Sequence, residues 1–452
     1  MNKNDIIQMT ITGMTNEGNG VGKVDKMAVF VPMTAVGDVV NVKITKVLKS
    51  YAFGIVDEII QESEVRCEND CEVFKKCGGC SFRHITYAGE LEIKENFVKD
   101  AFQRIGKIDV DFEKILGCEY SEFYRNKVQY PVAEIDGKVA CGFYSKRSHR
   151  VVPFTSCKLQ PKKFQEIADF IIEYVNKASI KAYDEQTHKG ILRHIYIRRA
   201  YHTKEIMVCF VTTKWCQELF MPICNELIKK FPDVKSIVLN KNSDKTNVIL
   251  GNKCKVLFGA ETITDIMCGN KIELSPLSFY QVNTPQAEKL YSIAKDFAEL
   301  KGNEIVLDLY CGAGTIGLSF ANNAKKIIGV EIIPPAIENA KKNAEINAIK
   351  NAEFFCGDAS DIARNFAEDN LTPDVIVLDP PRKGCDIATL DAVVKMSPKS
   401  VVMVSCNPST CARDIAYLNQ KGYACQKAQA VDLFPRTTHV ETVVLMSKVN
   451  TK

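Results

Sequence analysis

EIVLDLYCGAGTIG, residues 304–317, runs from an apolar strand through a glycine turn into the start of a helix, and the rest of the chain repeats that rhythm. KKIIGVEI (325–332), AEFFCGD (352–358), DVIVLDPP (374–381) and SVVMVSC (400–406) are further apolar strands, and QKAQAVDLF (426–434) and HVETVVLMS (439–447) follow. Helical stretches such as PPAIENAKKNAEINA (334–348) fill the gaps between the early ones. Apolar strands alternating with helices predict an α/β domain, here residues 286–452, whose parallel sheet is covered on both faces. Ligands of such sheets bind beyond the carboxyl ends of the strands, and the distinctive residues cluster at those ends.

Gly312 and Gly314 let the backbone turn tightly and approach a ligand closely. The spacing is not the GxGxxG of a dinucleotide turn, and Glu331 ends the second strand, where a carboxylate can hold ribose hydroxyls. Both features favour S-adenosylmethionine. Asp358 closes the third strand, where a carboxylate either meets an adenine edge or serves as a solvated strand end or helix cap.

Outward from this domain, residues 8–60 alternate polar and apolar positions between glycine breaks, as in GNGVGKVDKMAVFVP (18–32). Short antiparallel strands and a compact barrel over residues 1–62 follow from that pattern. The segment resembles a TRAM domain, an OB-like barrel, and Lys43, Lys46 and Lys49 near one face suit nucleic acid. Residues 63–285 mix strand and helix signals and predict an α+β domain. Its basic runs are SKRSHR (145–150) and Arg193, Arg198 and Arg199, with strand alternation placing Arg193 and Arg199 on one face and Arg198 on the other.

Composition sets the outer limits. With 59 Lys and Arg against 55 Asp and Glu in 452 residues, the formal charge is only +4, so a nucleic-acid site has to be a local patch. No apolar run approaches the roughly 20 residues of a spanning helix. The start, MNKNDIIQMTITGM, has no secretory pattern. A cytoplasmic protein is expected, and its 18 cysteines read as thiols, ligands or catalysts rather than disulfides. Cys209, Cys224, Cys254, Cys268 and Cys425 read as packing.

Four cysteines form a pattern of their own: Cys71, Cys77 and Cys80 in C-x5-C-G-G-C, with Cys157 in FTSCKLQ (154–160). Two thiolates two residues apart usually mean metal, and the paired glycines allow close approach to a bulky centre. A four-cysteine zinc site normally shows two CxxC pairs; only one is present, which favours a 4Fe-4S cluster. Cys67 is a spare.

DLYCGAGTIGL, GVEI, LDPPRKG (378–384), SCNPST (405–410) and HVETV (439–443), in this order, resemble the RNA uracil-5 methyltransferase family, and SFYQVN (278–283) resembles its glutamine-bearing cofactor segment. The resemblance implies a Rossmann-like S-adenosylmethionine domain in which Gln281, Tyr310, Thr315, Glu331, Asp358 and Asp379 contact the cofactor. It implies Cys406 as nucleophile, Glu441 as general base and Asp379 as an orienting carboxylate. The cysteine cluster and the barrel point to the 23S ribosomal RNA branch, since the tRNA branch is expected to lack both. A monomer with no obligate protein partner is expected.

The chemistry asks for these residue types. Carbon 5 of uracil is a poor nucleophile, so a thiolate first adds to carbon 6, and a base later removes the carbon 5 proton. Cys406 ends a buried strand before Asn407-Pro408, which turns the chain out at the cofactor edge; the amino end of the next helix is expected to lower its thiol pKa. Cys311, Cys385 and Cys411 are less suitably placed. The target base must be flipped out or unpaired. A radical methylthiotransferase would need a C-x3-C-x2-C triplet, which is not seen.

Overall fold

The computed structural model describes residues 1–449. Its first unit is a curled six-stranded sheet of strands Ile6–Thr10, Gly13–Met14, Asn19–Val24, Met27–Pro32, Val39–Val47 and Tyr51–Gln61. Alternation explains it: Val40, Val42 and Ile44 point into a core with Met9, Val29 and Val31, while Lys43, Lys46 and Lys49 stay in solvent. Buried Asp38 ties the barrel to the next segment through Arg66, at 2.8 Å.

The middle of the chain forms a mixed six-stranded sheet in the order Lys253–Gly259, Val234–Lys241, Ile206–Thr212, Leu192–Arg199, Lys127–Ile135 and Lys138–Cys141. Helices Lys162–Lys177 and Gln217–Lys230 cover one face. The other face packs through Tyr196, Met207 and Val211 onto helix Thr284–Ala298, and so joins the core of the last unit. Strand Ile206–Thr212 is buried along its whole length, as its unbroken apolar run requires.

The last unit is an eight-stranded sheet in the order Ala352–Cys356, Lys326–Glu331, Ile305–Leu309, Val375–Leu378, Ser400–Ser405, Glu441–Lys448, Tyr423–Val431 and Phe112–Leu116. Its first five strands are parallel, and Glu441–Lys448 runs antiparallel to both neighbours. Strand Ile305–Leu309 pairs with Lys326–Glu331 on one side and Val375–Leu378 on the other, so the order of connection reverses beside it. That reversal opens a crevice at the strands' carboxyl ends. The edge strand Phe112–Leu116 comes from the middle of the sequence and pairs in parallel with Tyr423–Val431.

Two of the central arginines are used internally. A register shift between Leu192 and His194 alters the alternation, and Arg193 donates to the carbonyls of Asn242 and Asp244 at 3.0 and 2.6 Å. Arg198, 1% exposed, donates to the carbonyls of Ser275 and Ser278. Neither guanidinium faces a ligand. No helix among the described residues is long and apolar enough to cross a membrane.

Candidate active site

At the crevice, Tyr310 takes a left-handed conformation (φ 68°), as do Gly312 and Gly314. A tyrosine held there is strained, a condition that clusters at ligand sites. A Cβ on Gly314 would stand a tight 3.1 Å from the Phe354 ring, and the left-handed conformation is what favours glycine there. Glu331 accepts backbone N–H groups from Gly312 (3.2 Å) and Ile333 (2.9 Å), which fixes its carboxylate beside the glycine turn. Buried Tyr291 gathers other members: its hydroxyl lies 3.5 Å from Thr315 Oγ1 and meets the Gln281 side chain. The Gln281 carbonyl is held by Asn126 Nδ2 at 2.8 Å. Gln281, Tyr310, Thr315, Glu331 and Asp379 therefore share one edge.

Asp358 stands apart in role. It is the N-cap of helix Ala359–Glu368, its side chain accepting the Ser360 N–H at 2.9 Å. Those bonds hold its carboxyl below the usual range. Asp308 and Tyr291 were not picked out from the sequence. Asp308 is fully buried, accepts the Gly317 N–H at 2.9 Å, and is pushed up to about 8 by burial and by Asp379 and Glu331. An acid four residues before a glycine turn was the signal available for it.

Strand register brings the reactive pair together. Ser405 lies opposite Thr442 in the antiparallel ladder, so the next residue on each side, Cys406 and Glu441, share its end. Asp379 follows the neighbouring strand Val375–Leu378, with its N–H toward the Leu309 carbonyl at 3.4 Å. Burial and Asp379 raise Glu441 to about 8, and burial raises Asp379 to about 7. Cys406 is half-buried, and burial, Glu441 and Asp379 push its thiol up to about 11. The shift of this thiol is thus upward, against the lowering expected from the following helix, with burial as its largest cause and Glu441 and Asp379 adding to it.

Arg382, in the LDPPRKG turn, is the cation that opposes this, lowering both Cys406 and Glu441. Its carbonyl accepts from Asn407 Nδ2 (2.9 Å) and Thr410 Oγ1 (3.3 Å), tying the two turns together. Its guanidinium meets His439 Nε2 at 3.3 Å, and burial together with Arg382 lowers His439 to about 4. A neutral imidazole can accept that bond. The arrangement offers a thiol, a carboxyl able to exchange a proton near neutral pH, and a nearby cation that lowers both.

Cys71, Cys77, Cys80 and Cys157 line one cavity of about 250 Å³. Burial raises Cys77, Cys80 and Cys157, Cys80 to about 12, and neighbouring thiols add to each shift. Gly79 donates its N–H to Cys77 Sγ at 3.3 Å. Cys67 instead faces the Arg83 carbonyl. Among the described residues, no group of three or more His, Cys, Asp or Glu side chains is arranged to hold a single metal ion.

The tRNA (Uracil-5-)-methyltransferase family model matches residues 248–449, and the TRAM domain model matches residues 2–56. An uncharacterized RNA methyltransferase of Clostridium tetani is 44% identical over 98% of this chain and 97% of its own length. One from Bacillus cereus is also 44% identical, over 99% and 97%. Among solved structures, Pyrococcus abyssi tRNA (uracil-54, C5)-methyltransferase in complex with S-adenosyl-L-homocysteine superposes with a TM-score of 0.77 at 25% identity, covering 97% of this chain and all of that one. That coverage reaches the barrel, which corrects the expectation that tRNA enzymes lack one. On relatives of this identity along nearly the whole chain, the protein belongs to the RNA (uracil-5-)-methyltransferase family, in the form that carries an N-terminal TRAM domain.

Proposed function

We propose that the protein methylates carbon 5 of a uridine in 23S ribosomal RNA, through a covalent bond between Cys406 and carbon 6. The observation that carries this is the Ser405–Thr442 register, which sets Cys406 and Glu441 side by side at the cofactor edge. S-adenosylmethionine, when bound, supplies an electrophilic methyl group; Gln281, Tyr310, Thr315, Glu331 and Asp379 hold it, and Asp358, capping its helix through Oδ1, keeps Oδ2 for it. Cys406 Sγ, as thiolate, adds to carbon 6, and the ring electrons pass to the carbonyl at carbon 4. Carbon 5 takes the methyl group, Glu441 removes the proton left on carbon 5, and the carbon 6–sulfur bond breaks to return the thiolate. Arg382 favours the ionised forms of both side chains, and Asp379 orients the ring.

Cys71, Cys77, Cys80 and Cys157 hold a 4Fe-4S cluster in this reading. The donor set suits it, because the four thiols surround a cavity rather than a point, and a cluster spaces its ligands more widely than one ion does. Unpartnered buried polar atoms also border the cavity: Arg83 Nη2 and both ring nitrogens of His194. Buried polar groups need partners, and cluster sulfur would supply them. Protein purified without oxygen should be brown and carry iron; colourless protein with zinc rejects the cluster.

RNA containing 5-fluorouridine tests the chemistry, because fluorine cannot leave as a proton. The parent should form a stable covalent adduct and Cys406→Ala none; adduct in that variant removes Cys406 as nucleophile. Because a tRNA enzyme superposes on 97% of the chain, tRNA is the second reading. Labelled S-adenosylmethionine with 23S RNA and with tRNA from a strain lacking the protein decides between them.

A further inference from the structure

A cleft of about 400 Å³ has Cys406, Asn407 and Val440 in its walls, and Asp379 and Glu441 are not among them. Ligand sites of roughly 300–1,000 Å³ hold drug-sized molecules, so the cleft has room beyond a single pyrimidine ring. Three separate parts of the chain enclose it. The barrel gives Met14 and Asn16, the catalytic turn gives Arg382, and helix Tyr87–Ala101 with the turn after it gives Phe97, Arg104 and Ile105.

That last segment has an unusual shape. Residues Phe102–Gly106 form a π-helical turn closed by Lys107 in the left-handed region (φ 51°). It ends the helix instead of interrupting it, and π-helical turns are rare and frequently found at functional sites. Gly106 lies so near helix Pro408–Gln420 that a Cβ there would stand 3.2 Å from the Ala412 carbonyl oxygen. The turn is thus packed behind the Asn407-Pro408 step, and it presents Ile105, 49% exposed, and Arg104 to the cleft. Arg104 has one acidic neighbour, Asp100 at 3.2 Å, in a solvent-exposed pair. Pairs of that kind are weak and readily exchanged for a phosphate.

We infer that this cleft seats the nucleotide adjoining the target uridine, with Arg104 receiving its phosphate and Ile105 and Met14 meeting its base. The inference rests on the reading that Cys406 attacks a uridine in RNA. An apolar side chain in that place also keeps the neighbouring base from closing back over the flipped one, which is what extrusion requires.

The test uses a short RNA spanning the uridine mapped by labelling, carrying 5-fluorouridine there, and copies lacking the base on one side or the other. Adduct formation by the parent establishes the chemistry; if it fails, that reading fails, before any variant is compared. Retained binding of S-adenosylhomocysteine reports that Arg104→Gln and Ile105→Ser are folded. Removal of one neighbouring base should weaken binding to the parent about tenfold and binding to Ile105→Ser hardly at all. Arg104→Gln should weaken binding about tenfold to intact and abasic RNA alike, and reduce the salt slope by about one. Equal binding of intact and abasic RNA by the parent, or an equal loss in Ile105→Ser, overturns the base contact; an unchanged salt slope in Arg104→Gln overturns the phosphate contact.

Discussion

Cys406 sits between charges of opposite sign, and the balance can be moved one side chain at a time. Glu441 raises the thiol and Arg382 lowers it. Glu441→Gln should therefore bring the thiol down from about 11, and Arg382→Ala should take it further up; the pH dependence of alkylation by iodoacetamide reads both. If Glu441→Gln leaves the alkylation profile unchanged, the two groups are not coupled. Asp308 shows the same physics as stability. Its carboxyl rises from an ordinary 3.8 to about 8, so the neutral form is the one the fold favours. The stability this contributes is fully present below about 4 and is lost as pH rises through about 8. Asp308→Asn should flatten the fall in Tm between those limits, followed by calorimetry with S-adenosylhomocysteine absent. At this scale the sequence showed which residue types stand at strand ends. It left Asp358 open between cap and ligand contact, because capping and ligand binding ask for the same carboxylate at the same place.

Among the elements, helix Tyr87–Ala101 holds the loop that leads into strand Glu441–Lys448. Lys94, fully buried, donates to Glu90 and to Asp432, each at 2.7 Å, and to the Phe434 carbonyl. Tyr87 adds a 2.7 Å bond to Asp432. Lys94→Met removes the cation and leaves two buried carboxylates facing each other, which should cost about 3–5 kcal/mol in urea unfolding. A loss below 1 kcal/mol would mean that the carboxylates find other partners. Because this tie fixes the approach to Glu441, the same variant should also slow adduct formation. The central strands of the last sheet, Ile305–Leu309, Val375–Leu378 and Ser400–Ser405, were readable as continuous apolar runs, since both of their faces are covered. Strand Phe112–Leu116 was not: exposed Glu113 and Lys114 interrupt its short apolar pattern, and only the distant Tyr423–Val431 makes it a strand of that sheet. The internal use of Arg193 escaped for a like reason, since a one-residue register shift moves a side chain to the other face.

Over the whole molecule, RNA has to be gathered by local patches, because the formal charge is only +4. Lys43, Lys46 and Lys49 are exposed on the barrel. Changing all three to Gln should lower RNA affinity and reduce the salt slope by about 2, at about 0.7 per single-strand phosphate, while binding of S-adenosylhomocysteine is kept. An unchanged slope would place RNA elsewhere on the surface. The barrel was legible in its glycine breaks and the last sheet in its strand–helix rhythm. The interlocking of the units was not, because it depends on contacts such as Tyr196 and Met207 against helix Thr284–Ala298, which no local pattern announces.

The edge strand from the middle of the chain also sets a schedule. Lys114 and Gln429, bonded across that edge, are 315 residues apart. At about 5–20 residues per second of synthesis, the strand waits on the order of 15–60 s for its partner to be made. During that interval its unpaired edge is open to wrong neighbours, including the same strand of a nascent chain on the next ribosome. The catalytic sheet is thus completed only when nearly the whole polypeptide has been made, and a truncated product lacking residues after 422 would leave strand Phe112–Leu116 without its partner.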